Sequence, residues 1–349
     1  MSVELLRNQT SEGCKETISA IDLGFLYTKA IINGKRIIMK SVVGNAKKQR
    51  FADLDMGFKK ENTDRLQSRV GMQEYFVSDL AIDQSDIVIH SLEDNRFSSE
   101  ATEVLVKTAF ALGLGQDFVD TKVVSGLPVS HYDVYKDNIS SLFLGKTHNY
   151  EVHNNGILIK GGVRINEGTF LPQPFGALLD RVLANDGSIQ DKTLAGKTVA
   201  VIDPGFGTTD VYVASSLSPV EKLTFSTKTA MNHSYNLISN VIEERYGILL
   251  PLHSIEHIVQ TKYFRNKGKV YPMQQTIDWA YKNTATQFLA ELTNKWKAIH
   301  EIDHILLAGG GGIALAPYIL PQFPNIELLD DAQWAVVNGY HKWGVRKFG

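Results

Sequence analysis

The sequence has a single cysteine, Cys14. One thiol can form neither an intramolecular disulfide nor a thiolate metal cluster, and a chain without them fits a reducing compartment. An excess of charge is missing as well: 36 Lys and Arg against 38 Asp and Glu leave a formal net charge of −2. Protein-wide attraction to nucleic acid or to an anionic membrane needs a large basic excess, so no direct nucleic-acid binding is expected and any DNA link would be local or indirect. Long apolar runs are absent too. The first 17 residues are polar and charged rather than signal-like, and no stretch reaches the roughly 18 apolar residues of a membrane span. The expected location is cytoplasmic, with no membrane partner.

What is present is enough for two cores. At 349 residues, 43% hydrophobic and 21% charged, the chain exceeds the usual single domain, and two domains sharing a cleft are expected. Residues 1–17 read as a flexible N-terminal tail, because Asn8, Thr10, Ser11, Glu12 and Gly13 offer no periodic apolar face. From Ile18 the pattern becomes strand-like: 18–21 leads into Asp22-Leu23-Gly24, and 28–32 follows. Asn33-Gly34 then signals a tight hairpin, with 35–43 returning antiparallel. Residues 100–114 carry Ala101, Val104, Leu105, Thr108, Ala109 and Leu112 at helical spacing, and 123–127 reads as a strand. After Lys197 the layout recurs: a strand over 198–202, a turn at Asp203-Pro204-Gly205-Phe206-Gly207, then a strand over 208–214. The recurrence is a weak internal duplication.

Three short segments can carry chemistry. In Asp22-Leu23-Gly24-Phe25-Leu26-Tyr27-Thr28-Lys29 an acid ends a strand, glycine opens a turn, and a lysine lies seven positions on. Turn N–H groups and one lysine suit a polyphosphate, and the aspartate can hold a hydrated Mg²⁺. Alone, this is as readily an ordinary hairpin corner. Asp203-Pro204-Gly205-Phe206-Gly207-Thr208-Thr209-Asp210 repeats the layout from the other half, and two such loops can grip one phosphate tail from both sides. Gly309-Gly310-Gly311-Gly312 follows the apolar stretch 305–308, where glycines allow a ligand close to the backbone.

Taken in order, these segments resemble the phosphate 1, phosphate 2 and adenosine motifs of the actin, heat-shock chaperone and sugar kinase superfamily. The resemblance implies an α/β actin-like fold, with two duplicated ribonuclease-H-like domains around a nucleotide cleft: domain I over 18–166, domain II over 167–330, and a C-terminal helix over 331–349 returning to domain I. It implies ATP or ADP with Mg²⁺ as ligands. Asp22 and Asp203 match the pair that holds the magnesium waters, and Lys29 matches a phosphate-contacting lysine. Gly24, Phe25, Leu26, Gly205, Phe206, Gly207, Thr208, Gly309, Gly310 and Gly311 match nucleotide-binding positions. Phe25 stands where actin has a hydroxyl residue, so one side-chain contact to phosphate is expected to be missing. Gln173, within Gly168-Thr169-Phe170-Leu171-Pro172-Gln173-Pro174-Phe175-Gly176-Ala177, falls where ParM-like actins place the residue that orients the attacking water. Glu244, in the helical stretch 236–246, sits near the position of an adenosine-contacting glutamate. Residues 331–340 are similar to the second crossing helix, with Gly339 allowing close packing.

The function so implied is an ATPase that polymerises head to tail into dynamic filaments, as ParM-like actins do in segregating plasmids, with a DNA-bound centromere adaptor as partner. The alternative is a small-molecule kinase of the same superfamily, although no clear carboxylate base is visible, or a filament serving another cargo. ATP and GTP are not distinguished. His253-Ser254-Ile255-Glu256-His257 and His300-Glu301-Ile302-Asp303-His304 match metalloprotease spacings, but solvated histidines are the expected reading of both. The second runs straight into a strand. Lys262-Tyr263-Phe264-Arg265-Asn266-Lys267-Gly268-Lys269 is basic and aromatic, and reads as a solvated turn.

Overall fold

The Asn33-Gly34 dipeptide adopts positive φ at both positions, 51° and 73°, the geometry that joins two right-twisting strands through a two-residue loop. It connects β2 (Tyr27–Ile32) to β3 (Lys35–Lys40), and β1 (Thr17–Leu23) pairs antiparallel with β2 on the other side. The computed structural model describes residues 17–47, 65–90, 99–296 and 299–349. Cys14 and positions 1–16 of the expected tail lie outside the described residues. The first half continues with β4 (Val42–Asn45), β5 (Leu66–Val70), β6 (Gln73–Val77), α1 (Asp79–Gln84), β7 (Val88–His90) and α2 (Glu100–Leu114). Ser99 caps α2 by accepting from the Thr102 N–H, and Gly115 ends it at φ 73°. Then come β8 (Phe118–Leu127), α3 (Tyr132–Phe143), β9 (Thr147–Asn154), β10 (Ile157–Pro172) and α4 (Gln173–Val182).

Among the described residues these strands form one ten-stranded sheet in the order β3-β2-β1-β8-β10-β9-β5-β6-β4-β7, with β1, β8 and β10 parallel. Both faces of its centre are covered, and the strand period of two sorts the side chains. Ile21 and Val123 point into a core shared with Val104, Leu105 and Phe110 of α2. Their neighbours Ala20 and Val124 point into a second core with Leu178 of α4 and Tyr340.

The second half repeats the plan. After α5 (Lys192–Ala195), β11 (Thr198–Pro204) pairs antiparallel with β12 (Thr209–Ser215), as β1 does with β2. β13 (Ser218–Pro219), β14 (Phe225–Thr227), α6 (Met231–Tyr246), α7 (Leu252–Thr261), β15 (Tyr263–Asn266), β16 (Lys269–Pro272) and α8 (Gln274–Lys295) follow. β17 (His304–Leu307) lies parallel to β11, as β8 does to β1, and leads to α9 (Gly309–Ile319), β18 (Ile326–Leu328) and α10 (Ala335–Phe348). The recurrence read in the sequence is therefore a structural duplication. The basic stretch 262–269 is the strand and turn of the small β15–β16 hairpin, with Lys267 and Gly268 at positive φ.

Here too the strands sort their faces. Ala200, Ile202, Val211 and Val213 join a core under α6, α7 and α8, whereas Val199, Val201, Tyr212 and Ala214 join the core that holds α4 and α10. That shared core lies between the two sheets. α10 returns to the first half, where an added Cβ on Gly344 would sit 2.5 Å from the Ile18 side chain.

Candidate functional site

A cavity of about 420 Å³ opens where the ends of β1 and β11 come together. Its floor is built by the duplicated hairpins. Asp22 stands opposite Lys29 in the β1–β2 register, and Asp203 stands opposite Asp210 in the β11–β12 register, so equivalent positions carry an ion pair in one half and two acids in the other. The pairing places Lys29 Nζ 3.5 Å from Asp22 Oδ2. Gln173, the first residue of α4, donates from Nε2 to Asp22 Oδ1 at 2.9 Å. Asp210 accepts from the Ser226 hydroxyl.

Asp203 is the member of the group most affected by burial. Burial pushes its carboxyl up to about 6; the Lys29 ammonium opposes this, and the Asp22 carboxylate adds to it. A cavity floor with acids from both halves and one lysine is short of positive charge, which a hydrated divalent cation would supply.

Two turns and a helix end bring backbone to the same place. Gly24, Phe25, Leu26 and Lys29 line the cavity from the first half, and Gly205, Phe206 and Thr208 line it from the second. Gly207 does not. It lies against the Phe25 ring, which comes within 3.0 Å of where its Cβ would be, so the two turns meet through that ring. The glycine cluster is the first turn of α9 rather than a loop, and Gly309, Gly310 and Gly311 line the cavity from there. A side chain at Gly311 is barred, since a Cβ would lie 2.0 Å from the Pro204 carbonyl. The unpaired N–H groups of a helix start favour an anion.

Away from the acids the cavity turns apolar. Met231 and Tyr235 of α6, Val259 of α7, Tyr281 of α8, and Ile313 and Ala314 of α9 form a slot suited to a flat ring, with the Gln260 amide at its wall. Glu244 is not part of it. Nine residues beyond Tyr235 on the same helix, it points about half a turn away, is exposed, and does not line the cavity. The buried acid at this end is Glu256, which in the sequence stands out only as part of a histidine pattern. The slot residues come from separate helices, so no local spacing marks them. His253 and His257 share α7, whereas His300 sits in a 3₁₀ turn and His304 opens β17. Among the described residues no group of three or more His, Cys, Asp or Glu is placed to hold a metal.

Two similar α/β halves with a cleft between them, each offering a hairpin turn to one cavity, define the actin-like fold. The chain matches the family model for the N-terminal domain of actin-like proteins over 20–176 and that for the C-terminal domain of archaeal MreB-like actin homologues over 201–319. It belongs to the actin-like proteins. Among solved structures it is similar to an archaeal actin homologue, at 19% identity and a TM-score of 0.78, covering 95% of this chain and 100% of the other. The same archaeal protein in complex with ADP gives 0.77 at 19% identity over 95% and 99%. A subunit of a 15-stranded ParM filament from Clostridium botulinum gives 0.79 at 22% identity over 94% and 99%. Comparison with curated protein sequences finds no match.

Proposed function

We propose that the chain is an ATPase that binds Mg-ATP in this cavity and assembles head to tail into filaments whose lifetime is set by hydrolysis. The observation that carries the reading is the convergence on one cavity of two hairpin turns, the α9 N-terminus, Lys29, Asp22 and Asp203, with Gln173 bonded to Asp22. Magnesium, held through its waters by Asp22 and Asp203, would neutralise charge on the phosphates. Lys29 and the N–H groups of the two turns bind the phosphate tail, and the apolar slot takes the base. Gln173 reaches the same carboxylate as Lys29, which supports a role for its amide in orienting a water at the terminal phosphate. Positioning and charge stabilisation are the main demands of that hydrolysis.

Filament formation is supported by the ParM filament subunit and by a ParM described as a non-polymerisable mutant, 23% identical with a TM-score of 0.76. A head-to-tail interface that does not close into a ring generates an open filament. In this reading the cargo is plasmid DNA, held through a DNA-bound centromere adaptor, as the resemblance of the sequence motifs to those of ParM-like actins implies. No helix among the described residues is long and apolar enough to cross a membrane.

Sedimentation and light scattering of the purified chain, with no nucleotide, Mg-ADP, Mg-ATP or a non-hydrolysable analogue and with phosphate release followed in parallel, test this reading. Polymer that appears with ATP above a critical concentration and falls as phosphate is released is the expected result. ATP binding without polymer at any concentration would overturn the filament and favour the kinase alternative.

A further inference from the structure

At the rim of the cavity, side chains that the hydrolytic reading does not use form one connected group across the cleft. Glu256 is on α7 in the second half; its neighbours Ile255, Ile258 and Val259 turn into that half's core. Glu256 turns aside from them and is only 5% exposed. Its charged partner is Lys40 of β3 in the first half, whose Nζ lies 3.0 Å from Glu256 Oε2 and 3.0 Å from Asp79 Oδ1 of α1. Tyr27 of β2, also in the first half, donates its hydroxyl to Glu256. Gln260, one helical turn on from Glu256, is 3.5 Å from both the Tyr27 hydroxyl and Glu256 Oε1.

This group is wired to the first phosphate turn at two points. Tyr27 closes the turn that begins at Gly24, whose added Cβ would lie 2.5 Å from the Tyr27 carbonyl. Ser41, next to Lys40, donates its N–H to the Leu26 carbonyl at 2.8 Å and its hydroxyl to the Gly24 carbonyl at 2.7 Å. The backbone that would hold phosphate therefore positions both first-half residues that hold Glu256. Separating a nearly buried carboxylate from its cation without hydrating it is costly, so part-way opening of the cleft is disfavoured.

We propose that Lys40, Tyr27 and Glu256 form a clasp across the cleft that retains the bound nucleotide and sets its rate of release. The proposal rests on the nucleotide reading of the cavity. The three are positioning residues, acting through closure rather than on the phosphate.

The test is the release rate of fluorescently labelled ADP, with Mg²⁺, from the full chain. K40M and E256Q are each expected to release it at least about tenfold faster than wild type. The K40M/E256Q double variant should be little faster than either single one, because both remove the same bridge. K40R, which keeps the charge, should release slowly, and Y27F should fall between. Thermal unfolding without nucleotide identifies any variant that is not folded, and the remaining variants then decide. Wild-type release rates in folded K40M and E256Q would overturn the clasp alone, as would effects that multiply in the double variant without rescue by K40R. Failure of the wild-type chain to bind labelled ADP would instead overturn the nucleotide reading, and retention with it.

Discussion

Asp22 and Asp203 occupy equivalent positions in their hairpins but meet different partners: Asp22 has Lys29 and Gln173, whereas Asp203 faces Asp210 in register. The two halves of the site should therefore fail differently. Asp203→Ala is expected to abolish the thermal shift produced by Mg-nucleotide, and an unchanged shift would remove Asp203 from the binding site. Gln173→Ala should keep that shift but slow phosphate release by about a hundredfold, the scale at which loss of water positioning acts; normal turnover would exclude the role. A separate residue-scale effect lies in the first core. His148, 2% exposed and bonded through Nε2 to the Phe143 carbonyl at 3.1 Å, is held below the usual imidazole range mainly by burial; the Phe143 carbonyl opposes this, and Lys146 and Lys107 reinforce it. Its folded-state pKa is depressed, so the unfolded chain takes up the proton first. The contribution is present above about pH 6.5 and is lost as pH falls below it. Between pH 7 and pH 5 the melting temperature should fall less in H148Q, which keeps a donor for Phe143, than in wild type.

Among the elements, the crossing of α4 and α10 decides how the halves are joined. A Cβ on Gly339 would lie 1.7 Å from the Gly176 carbonyl, so the helices meet backbone to backbone, with Tyr340 fully buried beside them. Neither backbone can yield without moving its helix. Gly339→Ala should cost about 3 kcal/mol in denaturant unfolding, the upper range for overpacking, and a loss below about 1 kcal/mol would mean that the helices separate freely. The close packing expected of Gly339 was legible because a glycine inside a helix lets another backbone approach closely. The partner was not: Gly176 is far away in sequence and sits in another crossing segment. α9 shows the opposite limit. Four consecutive glycines have low helix propensity, yet they form the first turn of a helix, because the packing of Leu315 and Ile319 in the second core carries the rest of the element.

At the scale of the whole molecule, closure joins the cavity, the clasp and the proposed assembly, since all three depend on how the halves approach. The hairpins, the duplicated plan and the residues on the cavity floor were readable in order along the chain. Each rests on a local rule: Asn-Gly sets a two-residue turn, and a seven-residue interval puts Lys29 opposite Asp22 across one hairpin. The continuous apolar run 199–202 likewise marks β11 as buried on both faces. Three features were decided only by the tertiary structure. The apolar slot draws on four helices, the acid at its end is Glu256 rather than Glu244, and Lys40 finds Glu256 across more than two hundred positions. The phase of α6 turns Glu244 to solvent, while the packing of α7 on the second core swings Glu256 to the first half. Local sequence determines what a backbone turn can bind, because its geometry is fixed by adjacent residues. Which side chains face one another across a cleft depends on how separately folded cores dock, and no interval along the chain encodes that.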